Sequence, residues 1–210
     1  MLVLDDPYVS EFLLRRAVEH DLPVLRTPAA ERLANGHALN YVDGAALARV
    51  LTTSENALPA VSQRVLSPGS AATVDRFKDK LAFRRVTAAL HPDIAYRGIP
   101  LAELADTDPT DLPYPCVIKP SVGFFSMAVH PLFGPEAWHD TIKEIEAEMA
   151  AARGVYPASV VDASVFIVEQ MIEGEEYAVD GYFDHHGRPV VLSVFRHLFA
   201  SGDDVSDRVY

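Results

Sequence analysis

A chain of 210 residues with 49% hydrophobic and 23% charged side chains can bury a sizeable core and is too apolar to stay disordered. Its 30 acids outnumber 18 Lys and Arg for a net charge of -12, which excludes the broad phosphate-neutralising face that nucleic acids require. A single cysteine, Cys116, excludes an intrachain disulfide, and its place in an apolar run is that of a buried thiol.

In chain order, LVL at 2–4, FLLRRAVEH at 12–20 and PVLRT at 23–27 read as strand, helix and strand. The stretch from Gly44 to Leu66 reads as a helix, a short strand ending near Thr52 and a helix capped by Ser54 with Glu55 in its first turn. This alternation predicts a parallel sheet flanked by helices over roughly the first 70 residues. No glycine-rich turn follows the first strand, so a dinucleotide fingerprint is absent. SPGS at 67–70 is the candidate linker. TVDRFKDKLAFRRVTAAL at 73–90 then makes one basic amphipathic helix, and residues 91–113, rich in Pro, Asp and Thr, hold a short helix at ELAD.

From residue 114 the pattern is strand (YPCVIKP), turn (SVGFFS), strand (MAVHPL), helix from Glu136 to Arg153 with Gly154 as its stop, strand (SVFIVEQM), turn (EGEE), strand (YAVDGYFD), turn (HHGRP) and strand (VVLSVFRHLF). Strands joined by short turns imply antiparallel pairing, so the fold class is α/β followed by α+β, with a Rossmann-like parallel sheet first. The opening residues lack the basic leader and apolar length of a secretory signal, and no run has the length of a membrane span. A cytoplasmic protein is expected.

Two segments carry chemistry. Lys119 sits at the end of an apolar strand and leads into the turn from Ser121 to Ser126; its ammonium and the turn's N–H groups suit a triphosphate. Lys80 or Lys78 is the second cation. About 50 residues on, Glu169-Gln170-Met171-Ile172 forms a strand end that offers backbone groups to a base, and Glu176, across the turn at Gly174, suits ribose hydroxyls. Taken singly these residues have plain readings: Lys119 as a solvated strand-end cation, Glu169 as a surface acid, and Lys78, Lys80, Arg84 and Arg85 as the polar face of a helix. His185 and His186 read as an exposed turn.

The order of Asp79-Lys80, then YPCVIKP with its small-residue loop, then VEQMIEGEEYAVD resembles the first two thirds of an ATP-grasp ligase, and the alternation before it resembles that superfamily's amino-terminal domain. The resemblance implies that Lys80, Lys119 and the loop ending at Ser126 bind phosphates, that Glu169, Gln170 and Met171 with Ile172 hold adenine, and that Glu176 binds ribose. It implies a pre-ATP-grasp domain over 1–72, a phosphate-loop subdomain over 73–168 and an incomplete carboxy-terminal subdomain over 169–210. The implied activity is a carboxylate–amine or carboxylate–thiol ligase working through an acyl-phosphate. Its partners are then ATP and a small carboxylate, with no nucleic acid or membrane.

Two departures qualify it. The loop reads Gly123-Phe124-Phe125-Ser126-Met127-Ala128-Val129, with Phe125 and Ala128 where the family favours glycine. The family's magnesium acids lie downstream of the hinge, so the Mg2+ ligands are expected beyond residue 210, and Asp203, Asp204 and Asp207 are not assigned to it. A non-catalytic nucleotide-binding or interaction module is the alternative. A fold cut short also predicts an exposed apolar edge on VVLSVFRHLF, and with it self-association to a homo-oligomer.

Overall fold

The computed structural model describes residues 1–44, 49–123, 126–152, 162–199 and 209. They divide into two compact units, one over Met1–Phe83 and one that begins at Arg84.

The first unit is a parallel sheet with helices. Its strands β1 (Leu2–Val3), β2 (Pro23–Leu25), β3 (Asn40–Val42) and β4 (Leu51–Thr52) lie in the order β3-β2-β1-β4, with every pair parallel. Successive side chains of a strand point to opposite faces, and two cores result. Leu2, Leu4 and Val24 pack with Leu14 and Ala17 of α1 (Glu11–Glu19) and Ala30 of α2 (Pro28–Leu33). Val3 and Leu25 pack with Ala57 and with Val61 of α3 (Leu58–Arg64). The residues Ala45 to Ala48 of the helix expected after Gly44 lie outside the described residues.

Several helical starts are fixed locally by a side-chain cap. The Ser10 side chain accepts from the Leu13 amide at 3.1 Å and that of Thr27 from the Ala30 amide at 3.0 Å. Ser54 accepts from the Asn56 amide at 3.2 Å, as the cap reading expected, and its hydroxyl donates to the Asp6 carbonyl, which ties β1 to β4. Thr27→Ala removes one such cap, and the first unit is expected to lose about 1 kcal/mol. A urea midpoint equal to that of the unsubstituted protein would show that the cap bond is not formed in solution.

The segment expected to be a linker starts a helix instead: α4 spans Pro68–Lys78, with Ser67 as its N-cap and Pro68 in its first turn. Proline suits that position because its fixed φ is helical and its missing N–H would have no partner there. The single helix expected over 73–90 is two. Asp79 is extended (φ -83°, ψ 106°) and its carboxylate accepts from the Leu81 and Ala82 amides, which starts α5 (Lys80–Thr87) afresh.

The second unit is built on an antiparallel sheet, β5 (Tyr96–Pro100), β8 (Asp162–Gln170), β6 (Cys116–Val122) and β7 (His130–Leu132), in the order β5-β8-β6-β7. Residues 127–129, expected in a strand, form a turn and a connection before β7. One face of this sheet, with Ile99, Cys116, Ile118, Leu132, Phe166 and Val168, packs on α6 (Trp138–Ala152) through Trp138, Ile142, Ile145 and Met149. Burial pushes the Cys116 thiol up to about 11, which suits an inert core side chain. Arg153 and Gly154, expected to end α6, lie outside the described residues. β9 (Tyr177–Phe183) and β10 (Pro189–Arg196) form a separate antiparallel hairpin. Val179, Phe183, Val191 and Val194 share one of its faces by register, and each is exposed.

Candidate functional site

The register of β6 and β8 builds the site. Val117 pairs with Glu169 and Lys119 with Ile167, so Lys119 and Glu169 are diagonal neighbours on the sheet face opposite the one α6 covers. Long side chains bridge that separation. Lys119 Nζ lies 2.5 Å from Glu169 Oε1. Arg84, on α5, donates to Glu169 Oε2 from Nε at 3.0 Å and from Nη2 at 2.5 Å. The three side chains are 23%, 15% and 11% exposed for Lys119, Arg84 and Glu169. Burial by itself pushes the Glu169 carboxyl up, but the Lys119 ammonium and the Arg84 guanidinium outweigh it and hold the group below its ordinary value.

Arg84 was read from the sequence as one of four cations on a polar helix face. What singles it out is its partner, a carboxylate 85 residues away. Lys80, the expected first phosphate ligand, is the first residue of α5 and belongs to the first unit. Lys78, the other candidate, is ion-paired with Glu55 at 3.2 Å within that unit.

The turn after β6 is anchored on α6. Ser126 and Ala128 take positive φ, 53° and 50°, a conformation that favours glycine. Ala128 Cβ is nevertheless packed into the core with Met127 beside it. The Ala128 amide donates to Glu148 Oε2 at 2.9 Å, and His130 Nε2 lies 3.0 Å from the other oxygen of Glu148. The tight turning expected of glycine at Ala128 is therefore adopted by alanine, held by a carboxylate. Phe125, the other departure in this loop, lies outside the described residues.

At the strand end expected to meet adenine, most of the backbone is engaged. The Gln170 amide donates to the Ala95 carbonyl at 2.9 Å and the Gln170 side chain accepts from the Ala95 amide at 3.3 Å. The Met171 amide donates to the Pro115 carbonyl at 2.8 Å. Ile172 follows, 66% exposed. Glu176, expected at the ribose, is 63% exposed and accepts from His197 Nδ1 at 2.8 Å; its carbonyl accepts from the His197 amide at 2.9 Å. His197 is 3% exposed in its side chain. It carries no motif by which the sequence would have announced it. Glu175 pairs with Arg196 and the Tyr177 hydroxyl in the open, the solvated turn expected there.

His185 and His186 lie exposed in the hairpin turn that Asp184 organises by accepting from the His186 and Arg188 amides. Among the described residues, no three His, Cys, Asp or Glu side chains come together as a metal-binding group. No helix among the described residues is long and apolar enough to cross a membrane.

Residues 112–210 match the model of the ATP-grasp domain family. A search of curated proteins returns no match. Among solved structures, an L-amino acid ligase from Bacillus licheniformis is similar with a TM-score of 0.63 at 17% identity, over 100% of this chain and 54% of its own. The ADP complex of an N5-carboxyaminoimidazole ribonucleotide synthetase is similar with a TM-score of 0.51 at 16% identity, over 88% of this chain and 52% of its own. The chain spans about half the length of these solved structures, and identities this low speak for the fold.

Proposed function

Since this chain has the ATP-grasp fold, with residues 112–210 matching that family's domain, we propose that it is the nucleotide-binding part of a carboxylate–amine or carboxylate–thiol ligase that activates its acid as an acyl-phosphate. The observation that carries the reading is the Lys119 ammonium: the sequence expected it at a strand end, but β6 runs on to Val122, so it stands inside the strand, mostly buried and held by Glu169, on the chain that leads into a turn with two left-handed residues. A cation held there meets phosphate oxygens without first being ordered. The Ile172 amide would take an adenine edge and Glu176, steadied by His197, the ribose. Lys80, the Ser126 turn, Glu169, Gln170 and Met171 complete the proposed nucleotide set. A small carboxylate is the proposed second substrate. The subdomain division at residue 168, a cytoplasmic location and self-association through the β9–β10 face belong to the same proposal.

Calorimetry with ATP in magnesium buffer tests it. Saturable binding is expected, weakened at least about tenfold by Lys119→Ala and weakened also by Glu176→Ala. Binding that neither substitution changes would sink the site, and no binding to the unsubstituted protein would sink the reading.

A further inference from the structure

Arg84 has no place in the proposed nucleotide set, yet it is one of the two cations that hold Glu169. A buried carboxylate with one cation makes a neutral pair, and a neutral pair has little pull on a phosphate. Here one carboxylate meets two cations, Lys119 on Oε1 and Arg84 on Oε2, and a single positive charge is left over. The two do not share it equally. Arg84 approaches with Nε and Nη2 on one oxygen, the side-on geometry that commits a guanidinium to its carboxylate. The Lys119 ammonium touches the other oxygen once and has two further N–H groups to direct elsewhere.

We propose that Arg84 is a positioning residue: it neutralises the Glu169 carboxylate, so that Glu169 orients the Lys119 ammonium without cancelling its charge, and that charge is kept for the polyphosphate of the ligand. Glu169 on this account is a bracket for Lys119 and makes no side-chain contact with adenine. The proposal rests on the nucleotide-binding reading above and names how that site is charged. Opposite charges a few ångströms apart and largely screened from water interact strongly enough to set affinity.

The test is a charge-balance cycle read by calorimetry with three probes: ATP, inorganic tripolyphosphate and adenosine. Arg84→Met leaves Lys119 in a neutral pair, so ATP and tripolyphosphate affinities are expected to fall about tenfold. Arg84→Lys restores the charge and should bring both back to within about threefold. Arg84→Met combined with Glu169→Gln again leaves one uncancelled cation, and both affinities are expected to recover to a similar extent. Adenosine affinity should be the same in every variant. Glu169→Gln by itself leaves two buried cations and is expected to be the least stable, so the double variant carries the decision. If the double variant binds tripolyphosphate as weakly as Arg84→Met, or if adenosine binding is lost whenever Glu169 is changed, the proposal is overturned. Either result leaves ATP binding by the unsubstituted protein intact, whereas absence of that binding overturns the nucleotide reading as well.

Discussion

Trp138→Ala is expected to lower the unfolding free energy of the second unit by about 3–5 kcal/mol. The indole is 0% exposed and sits at the start of α6, among Ile99, Leu104 and Phe166, where the helix meets the sheet. Truncation removes the largest fully buried side chain of the protein and leaves a cavity that a close-packed interior closes only in part. It also removes a hydrogen bond, since Trp138 Nε1 donates to the Leu104 carbonyl at 3.2 Å. That carbonyl keeps the Thr107 amide as a donor at 3.3 Å, so the lost bond adds little to the cost of the cavity. Urea unfolding followed by near-ultraviolet circular dichroism reads the change. A loss below about 1 kcal/mol would show that the sheet's core does not depend on α6.

Glu169→Ala is the second large effect, about 3–5 kcal/mol, because it strips the counter-charge from two cations held mostly out of water. The carboxyl is held below its ordinary value of 4.5 in the folded protein, so the folded state binds its proton less readily than the unfolded chain. Its contribution is therefore fully present above the ordinary value and is lost as pH falls through the lower, folded one. Unfolding free energies measured from neutral pH downward should fall along that acid limb, and the fall should be shallower in Glu169→Ala. An identical acid limb in both proteins would mean that Glu169 is not ion-paired in solution.

Much of the fold was legible. Alternation of short apolar runs with amphipathic ones announced a parallel sheet in the first unit, because strands buried on both faces must be apolar throughout. The antiparallel second sheet followed from strands joined by short turns. What escaped was decided by single residues acting through space or through a cap. A continuous amphipathic pattern over 73–90 concealed the break at Asp79, where a side-chain carboxylate takes the amides that would have continued the helix. β5, with Gly98 and Pro100 in its five residues, carries no strand signal of its own. It exists because the edge of β8 offers it a ladder.

The site divides in the same way. Lys119, Glu169 and Glu176 were legible as types in an order, since a cation on an apolar strand before a turn and acids about a second turn are chemical patterns along the chain; that β6 continues past Lys119 to Val122 was not. Arg84 was not, because Lys80 and Arg85 share α5 with it and nothing along the sequence prefers one of the three. The sequence by itself determined most of the elements and the order of residue types along them, because periodicity and turn chemistry are local. Only the tertiary structure decided that Lys119 and Glu169 share a sheet face and that Arg84 meets them there. Register between β6 and β8 sets that meeting, and it is a property of two distant segments that neither contains.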